Sequence, residues 1–345
     1  MTSAASPHQN NAYGDNGSPD LLAQADGLTS RLQALRTGLG HILLGQENVI
    51  DDVLTAILGG GHVLLVGAPG LGKTLLARSM AAALGLEGAR IQFTPDLMPS
   101  DITGAEIMEE GADGKRHFRF EKGPVFAQLV LADEINRASP RTQAALLEAM
   151  GEGSVTQAGH SWPLPRPFHV MATQNPADQE GTYPLPEAQL DRFMLRVALA
   201  APPRQAERNM LLATGTGPMP QPQPLFTAQE VLAAQDVVAR LPVSERVLDA
   251  ILSLVRSLRP EDETATPIVR ENVLYGPGPR ASQALLRGVK ARALLNGRLS
   301  PSVEDVKSLA IPVLAHRLGL DFQASAAGQT PEKLISAVAA ALPDR

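Results

Sequence analysis

Cysteine is absent from this 345-residue chain, so neither a disulfide nor a thiolate-held metal is available to it. Aromatic residues make up only 3%, with a single tryptophan, Trp162. No uninterrupted apolar run approaches the ~20 residues that a membrane-spanning helix requires. A basic surplus is also missing: 30 Lys and Arg stand against 36 Asp and Glu, a net charge of -6. That balance argues against a dedicated nucleic-acid binder. The polar stretch Met1 to Pro19 lacks the basic-then-apolar pattern of a secretory signal. His41, His62, His117, His160, His169 and His316 show no H-E-x-x-H or comparable spacing, which leaves them core or surface roles. These absences lead to the expectation of a cytoplasmic protein with no membrane insertion.

What is present is organised in blocks. The length fits two domains, and an apolar content of 44% is ample for a buried core. Residues 1–20, rich in Ser, Asn, Gly and Pro, read as a disordered tail. In 21–213 a helix over Leu21–Leu39 and another over Val49–Leu58 precede an alternating α/β pattern. Its strands are expected at His62–Val66, Arg90–Phe93, Leu129–Ala132, Phe168–Thr173 and Phe193–Leu199, with helices at Thr74–Leu84 and Thr142–Met150. Such alternation implies a parallel sheet covered on both faces, a three-layer α/β domain. A Pro/Gly-rich linker at 214–226 then leads to a smaller all-α domain over 227–345. Its helices are expected after the capping box Thr227/Glu230, after Ser244, and over Arg280–Leu295, Pro301–Leu318 and Pro331–Leu342. Two hairpins are expected as insertions, one between Thr103 and Gly123 and one between Gly153 and Phe168, the latter carrying Trp162.

The strongest chemical signal is GAPGLGKT, Gly67 to Thr74, set between an apolar strand and a helix. This is the P-loop pattern in its required context. Gly67, Ala68, Pro69, Gly70, Leu71, Gly72 and Lys73, with Thr74 and Leu75 opening the helix, would cradle the phosphates of ATP. Backbone N–H groups face the anion, and the helix start adds its dipole. Lys73 reaches the β- and γ-phosphates, and the Thr74 hydroxyl can ligate Mg²⁺. The second signal is LVLADE, Leu129 to Glu134, a strand delivering two acids to the edge where ligands sit in open α/β sheets. Asp133 would hold the magnesium shell, and Glu134 would orient and deprotonate the attacking water. Asp101-Ile102-Thr103-Gly104 matches a DxxG of GTPases, but no NKxD follows, and the LSGGQ signature of transporter ATPases is absent.

Four longer stretches are more specific: Gln92–Gly104 (QFTPDLMPSDITG), Ala132–Met150 (ADEINRASPRTQAALLEAM), Ala172–Pro176 (ATQNP) and Glu180–Phe193 (EGTYPLPEAQLDRF). In order and spacing they resemble the MoxR family of AAA+ ATPases, in its helix-2-insert branch. Gly276–Ala281 (GPGPRA) is similar to the family's lid motif, with Pro277 and Gly278 replacing the commoner Ala-Ser. The resemblance implies an AAA+ fold with a helical lid, ATP hydrolysis with Mg²⁺, and a homo-oligomeric, hexameric ring. It implies roles for four more residues or segments. Asn175 matches sensor 1, Arg280 the lid arginine that contacts the γ-phosphate of its own subunit, Arg192 the finger that enters a neighbour's site, and Gly45-Gln46 the adenine-packing position. Arg137 and Arg196 are rivals for an inter-subunit contact. The partners implied are a protein client and a von Willebrand factor A-domain protein, with remodelling or maturation of proteins or metalloenzyme complexes as the output. A nucleotide-gated binding module and a nucleic-acid motor remain the alternatives; the acid balance counts against the latter.

Overall fold

The computed structural model describes residues 19–110, 116–176, 181–214 and 222–343. Most of the expected tail, most of the linker and the tip of the first hairpin lie outside the described residues. Along the chain, α1 (Pro19–Ile42) and α2 (Glu47–Leu58) precede β1 (Val63–Val66) and α3 (Lys73–Ala83). Next come β2 (Gly88–Gln92), α4 (Pro99–Thr103), the hairpin β3 (Gly104–Glu110) and β4 (Arg116–Lys122), and β5 (Leu129–Asp133). They are followed by α5 (Pro140–Glu152), a second hairpin of β6 (Ser154–Gln157) and β7 (His160–Pro163), and β8 (His169–Gln174). The α/β part closes with α6 (Glu187–Leu190), β9 (Leu195–Ala198) and α7 (Arg204–Thr214).

Five of these strands form one all-parallel sheet in the order β2-β5-β8-β1-β9. Successive side chains point to opposite faces, and the sequence uses both. Val63, Leu65, Leu129, Leu131, Met171, Leu195 and Val197 pack with α1, α2 and α3. Leu64, Val130, Ala132, Val170 and Ala172 pack on the other face against Leu146 and Leu147 of α5. The three-layer expectation is met, with each predicted strand displaced by no more than two residues at either end. In α1 the buried residues Ala25, Leu32, Leu35, Leu39 and Ile42 keep helical spacing, so the helix runs past both ends of the expected segment.

The second part contains α8 (Ala228–Arg240), α9 (Glu245–Ser257), α10 (Pro267–Asn272), β10 (Val273–Tyr275), α11 (Pro279–Leu295), α12 (Val303–Leu314), β11 (Gly319–Leu320), α13 (Phe322–Ala326) and α14 (Pro331–Ala340). Its helices share the apolar cluster of α1–α3. The capping box at the start of α8 is formed: the Glu230 amide donates to Thr227 Oγ1 at 3.3 Å, and the Thr227 amide to Glu230 Oε2 at 2.8 Å. Two expectations are corrected. The region is not purely helical, because β10 and β11 pair in an antiparallel ladder. Nor does a helix run from Pro301 to Leu318: α12 passes through Pro312 and ends at Leu314. The chain breaks there because His316 and Arg317 turn to the α/β part, bonding the Phe193 carbonyl at 3.0 and 2.7 Å. α7 was not foreseen either.

Both inserted hairpins are present, and an aromatic stack joins them. β3 pairs β4 from Gly104↔Lys122 to Glu110↔Arg116, and β6 pairs β7 from Ser154↔Pro163 to Gln157↔His160. The second turns through Ala158 (φ 49) and Gly159 (φ 78), the doubly left-handed geometry that tight two-residue hairpins favour. Phe120 of β4 stacks on Trp162 of β7, ring centroids 4.9 Å apart and planes 21° from parallel.

Candidate active site

The P-loop leaves the carboxyl end of β1 and delivers Lys73 to the first turn of α3. Gly70 (φ 84) and Gly72 (φ 81) adopt left-handed backbone that a side chain would strain. Ala68, Pro69 and Gly70 are exposed, and nothing lies within 4 Å of a Cβ built on Gly70, so the loop's crest is open. At its floor the loop is tight: a Cβ on Gly67 would come within 2.9 Å of Leu199. The buried Lys73 donates to the Gly67 carbonyl at 2.7 Å, so its ammonium is folded across the loop. The Gln46 amide donates to the Leu71 carbonyl at 3.0 Å, and the space beside Gly45 is filled by Ala206 and Pro203. The other amide atom, Gln46 Oε1, is buried without a partner among the described residues, an acceptor suited to an adenine amino group.

The acids stand at the carboxyl end of β5, which β8 separates from β1. Asp133 Oδ1 accepts from the Thr173 hydroxyl at 2.7 Å, and Oδ2 accepts from Arg90 Nη2 at 2.7 Å and Nε at 3.2 Å. Glu134 follows in a left-handed conformation (φ 56, ψ 50), uncommon for a residue with a side chain. That twist breaks strand alternation and turns both acids to the same end of the sheet. The same Thr173 oxygen holds the turn, accepting from the Glu134 amide at 2.8 Å. Glu134 Oε2 accepts from Gln92 Nε2 at 3.0 Å and from Arg137 Nη1 at 2.9 Å. Asn175 is buried one residue beyond β8, at the same edge. The Thr74 hydroxyl and the Asp133 carboxylate are hard oxygen donors, so the residues present fit Mg²⁺.

Arg192 and Arg280 are elsewhere. Arg192 precedes β9, whose first residue pairs with Val63 at the start of β1, so it sits at the amino edge of the sheet. Four residues of strand, ~13 Å, separate that edge from the P-loop. Arg192 Nη1 donates to the Leu147 carbonyl at 2.9 Å and lies against Gly151, where a Cβ would collide with the guanidinium. Arg280, on the first turn of α11, faces Asp191 at 3.6 Å rather than its own P-loop. Arg280 therefore stands at the sheet edge opposite the P-loop of its own chain, because the start of α11 packs there. Arg317 completes the group, its Nε donating to Asp191 Oδ1 at 2.7 Å. These side chains line one cavity of about 180 Å³.

Of the two rival arginines, Arg196 pairs with Glu332 of α14 at 2.9 Å and Arg137 with Glu134 of its own chain. Sequence reasoning missed Arg90, Gln92 and Thr173. Thr173 left a trace, a hydroxyl at the end of an otherwise apolar strand. Arg90 and Gln92 reach the acids across 43 and 42 residues of sequence.

A parallel sheet with this strand order, a P-loop after β1, and paired acids at the carboxyl end of β5, one strand beyond its neighbour β8, define a P-loop NTPase of the AAA+ class. Residues 62–195 match the model of the "ATPase family associated with various cellular activities (AAA)", and 266–338 match an AAA lid domain. The chain is 38% identical over 317 residues to Chaperone MoxR1 of Mycobacterium tuberculosis, spanning 91% of this chain and 83% of that protein. It is 33% identical to Protein MoxR of Paracoccus denitrificans over 84% and 89% of the two chains. A solved structure from Cytophaga hutchinsonii matches with a TM-score of 0.86 at 36% identity, covering 94% of this chain and 97% of that one. The chain belongs to the MoxR family of AAA+ ATPases. Among the described residues no helix is long and apolar enough to cross a membrane.

Proposed function

We propose that this protein hydrolyses ATP in a homo-oligomeric ring, hexameric by family resemblance, and that turnover remodels or matures a partner protein. The observation that carries the reading is the separation of its polar and charged groups. Lys73, Asp133, Glu134 and Asn175 gather at the carboxyl edge of the sheet, whereas Arg192 and Arg280 gather at the amino edge. One subunit then contributes the phosphate cradle and the water-activating acid, and its neighbour contributes the arginines. Lys73 binds phosphate in the ground state, Glu134 takes the proton of the attacking water, and Asn175 positions that water. Magnesium, held by Thr74 and Asp133, would supply charge neutralisation at the phosphates. The two hairpins, joined through Phe120 and Trp162, are the route by which shifts beside β5 and β8 reach a client, with von Willebrand factor A-domain proteins as the partner class. The compartment in which this happens is the cytoplasm.

Mixing two inactive variants tests the shared site. Arg192→Ala and Glu134→Gln proteins, combined under conditions where subunits exchange, create interfaces in which an intact Glu134 faces an intact Arg192. Partial recovery of phosphate release is expected. No recovery, with exchange verified by labelled subunits, would refute the shared site.

A further inference from the structure

The hydrogen bonds around the two acids form a continuous string. Arg90 Nη2 donates both to Asp133 Oδ2 at 2.7 Å and to Gln92 Oε1 at 2.6 Å. The other end of that amide, Gln92 Nε2, donates to Glu134 Oε2 at 3.0 Å. Arg90 and Gln92 are two residues apart on β2, so they share a face of the strand, and the amide spans the gap between the two carboxylates. β2 is the terminal strand of the sheet, and the Arg90 side chain is 53% exposed. Its guanidinium therefore has water on one side and room to leave. Asp133, by contrast, is only 11% exposed at its side chain, and its second oxygen is fixed by Thr173. Of the two partners, the arginine is the one free to move.

We propose that Arg90 is a positioning residue: it occupies the metal-binding oxygen of Asp133 until a divalent cation arrives, and its release loosens Gln92 and thereby Glu134. The inference rests on the reading of this site as one for ATP and magnesium. A cation of charge two competes with a guanidinium of charge one for the same carboxylate oxygen. Because the arginine side of the pair is half-exposed, water offsets part of its loss, and the pair shifts the metal's apparent affinity only modestly. Once Arg90 swings away, the Gln92 amide loses the donor that orients its oxygen, and its grip on Glu134 relaxes. Loading of the metal and loosening of the Gln92 bond to Glu134 are then one event, while Arg137 keeps its own bond to the same Glu134 oxygen.

The test is a titration of Mn²⁺ by electron paramagnetic resonance on the full chain with a non-hydrolysable ATP analogue, which reads metal affinity without turnover. Arg90→Ala is expected to lower the Mn²⁺ midpoint about two- to fivefold. Arg90→Lys keeps the charge but has a single nitrogen that cannot hold Asp133 and Gln92 together, and it should move at least half as far on a logarithmic scale. Gln92→Ala should shift the midpoint in the same direction by less, and the double variant Arg90→Ala/Gln92→Ala should bind no tighter than Arg90→Ala alone. An unchanged or raised midpoint in an Arg90→Ala protein of wild-type thermal stability overturns the proposal. A wild-type midpoint in Arg90→Lys reduces the effect to charge and overturns the contact, and an additive double variant overturns the relay. Should the wild-type chain bind no Mn²⁺ with the analogue at all, the nucleotide-site reading itself fails, a result separable from the others.

Discussion

At the carboxyl edge of the sheet the proposed working groups are P-loop amides, Lys73, Asp133, Glu134 and Asn175, and they follow three side-by-side strands, β1, β8 and β5. At the amino edge the groups are Arg192, Arg280 and Arg317, drawn from three distant segments and gathered about a single acid, Asp191. The first edge is ordered by the sheet, where strand ends fall side by side. The second is ordered by packing of the lid, because two of its three arginines come from α11 and the turn after α12. Geometry at the first edge therefore survives changes in the lid, while geometry at the second reports how the lid is seated.

The comparison is broken most forcefully by Arg192→Ala. Turnover should fall by about 10³–10⁵ with nucleotide affinity retained, as for arginine fingers in other P-loop proteins, measured by steady-state phosphate release beside equilibrium binding. At the opposite edge Glu134→Gln should cost about 10²–10⁴ in turnover and also leave binding intact, whereas Lys73→Ala should remove most of the binding. Equal losses of affinity in the first two variants would mean that the edges are not divided as described. A smaller effect separates structure from chemistry. Asp191→Asn leaves Arg317, 4% exposed at its side chain, without its carboxylate, although four backbone carbonyls still accept from it. The cost should be about 1.5–3 kcal/mol in urea denaturation, with nucleotide affinity unchanged.

Acid distinguishes the edges as well. His169, at the start of β8, is buried with Nδ1 on the Gly61 carbonyl at 2.8 Å and Nε2 beside Gln235 of α8 at 3.0 Å. Burial lowers its pKa to about 4, and His316 is pushed down in the same direction by burial and by Arg317. Between about 6.5 and 4 the unfolded chain binds a proton at His169 that the folded chain does not, so stability falls as pH falls through that window. From pH 6.5 to 5 that amounts to about 2 kcal/mol for this group. Denaturation midpoints at the two pH values, with His169→Gln flattening the slope, check it.

What could be read beforehand follows the same division. The P-loop, β1 and β5 are short, local and self-declaring, since turn glycines and apolar strands act over a few residues. The acids were legible because they end a strand. Their restraints were not: Thr173, Arg90 and Gln92 meet them only once strands distant in sequence become neighbours. Arg280 was identified by its motif but not by its surroundings, because a motif fixes which residue is present and the packing of α11 fixes what it faces. β10 and β11, of three and two residues, are too short to carry a periodic signal. The last turn expected of α12 was lost to His316 and Arg317, whose preferred partners lie on another part of the chain.

Gly151 gives the amino edge a berth for its arginine. It lies inside α5, where any side chain would collide with the Arg192 guanidinium resting on it. Glycine in this last turn costs the helix less than the ~1 kcal/mol, relative to alanine, of a helix interior. Gly151→Ala should thus do two opposite things, firming α5 while evicting the guanidinium from its resting place without altering its charge or its tether. An undocked Arg192 of this kind would separate how often the proposed finger is ready from what it does on arrival, which truncating the arginine itself cannot do.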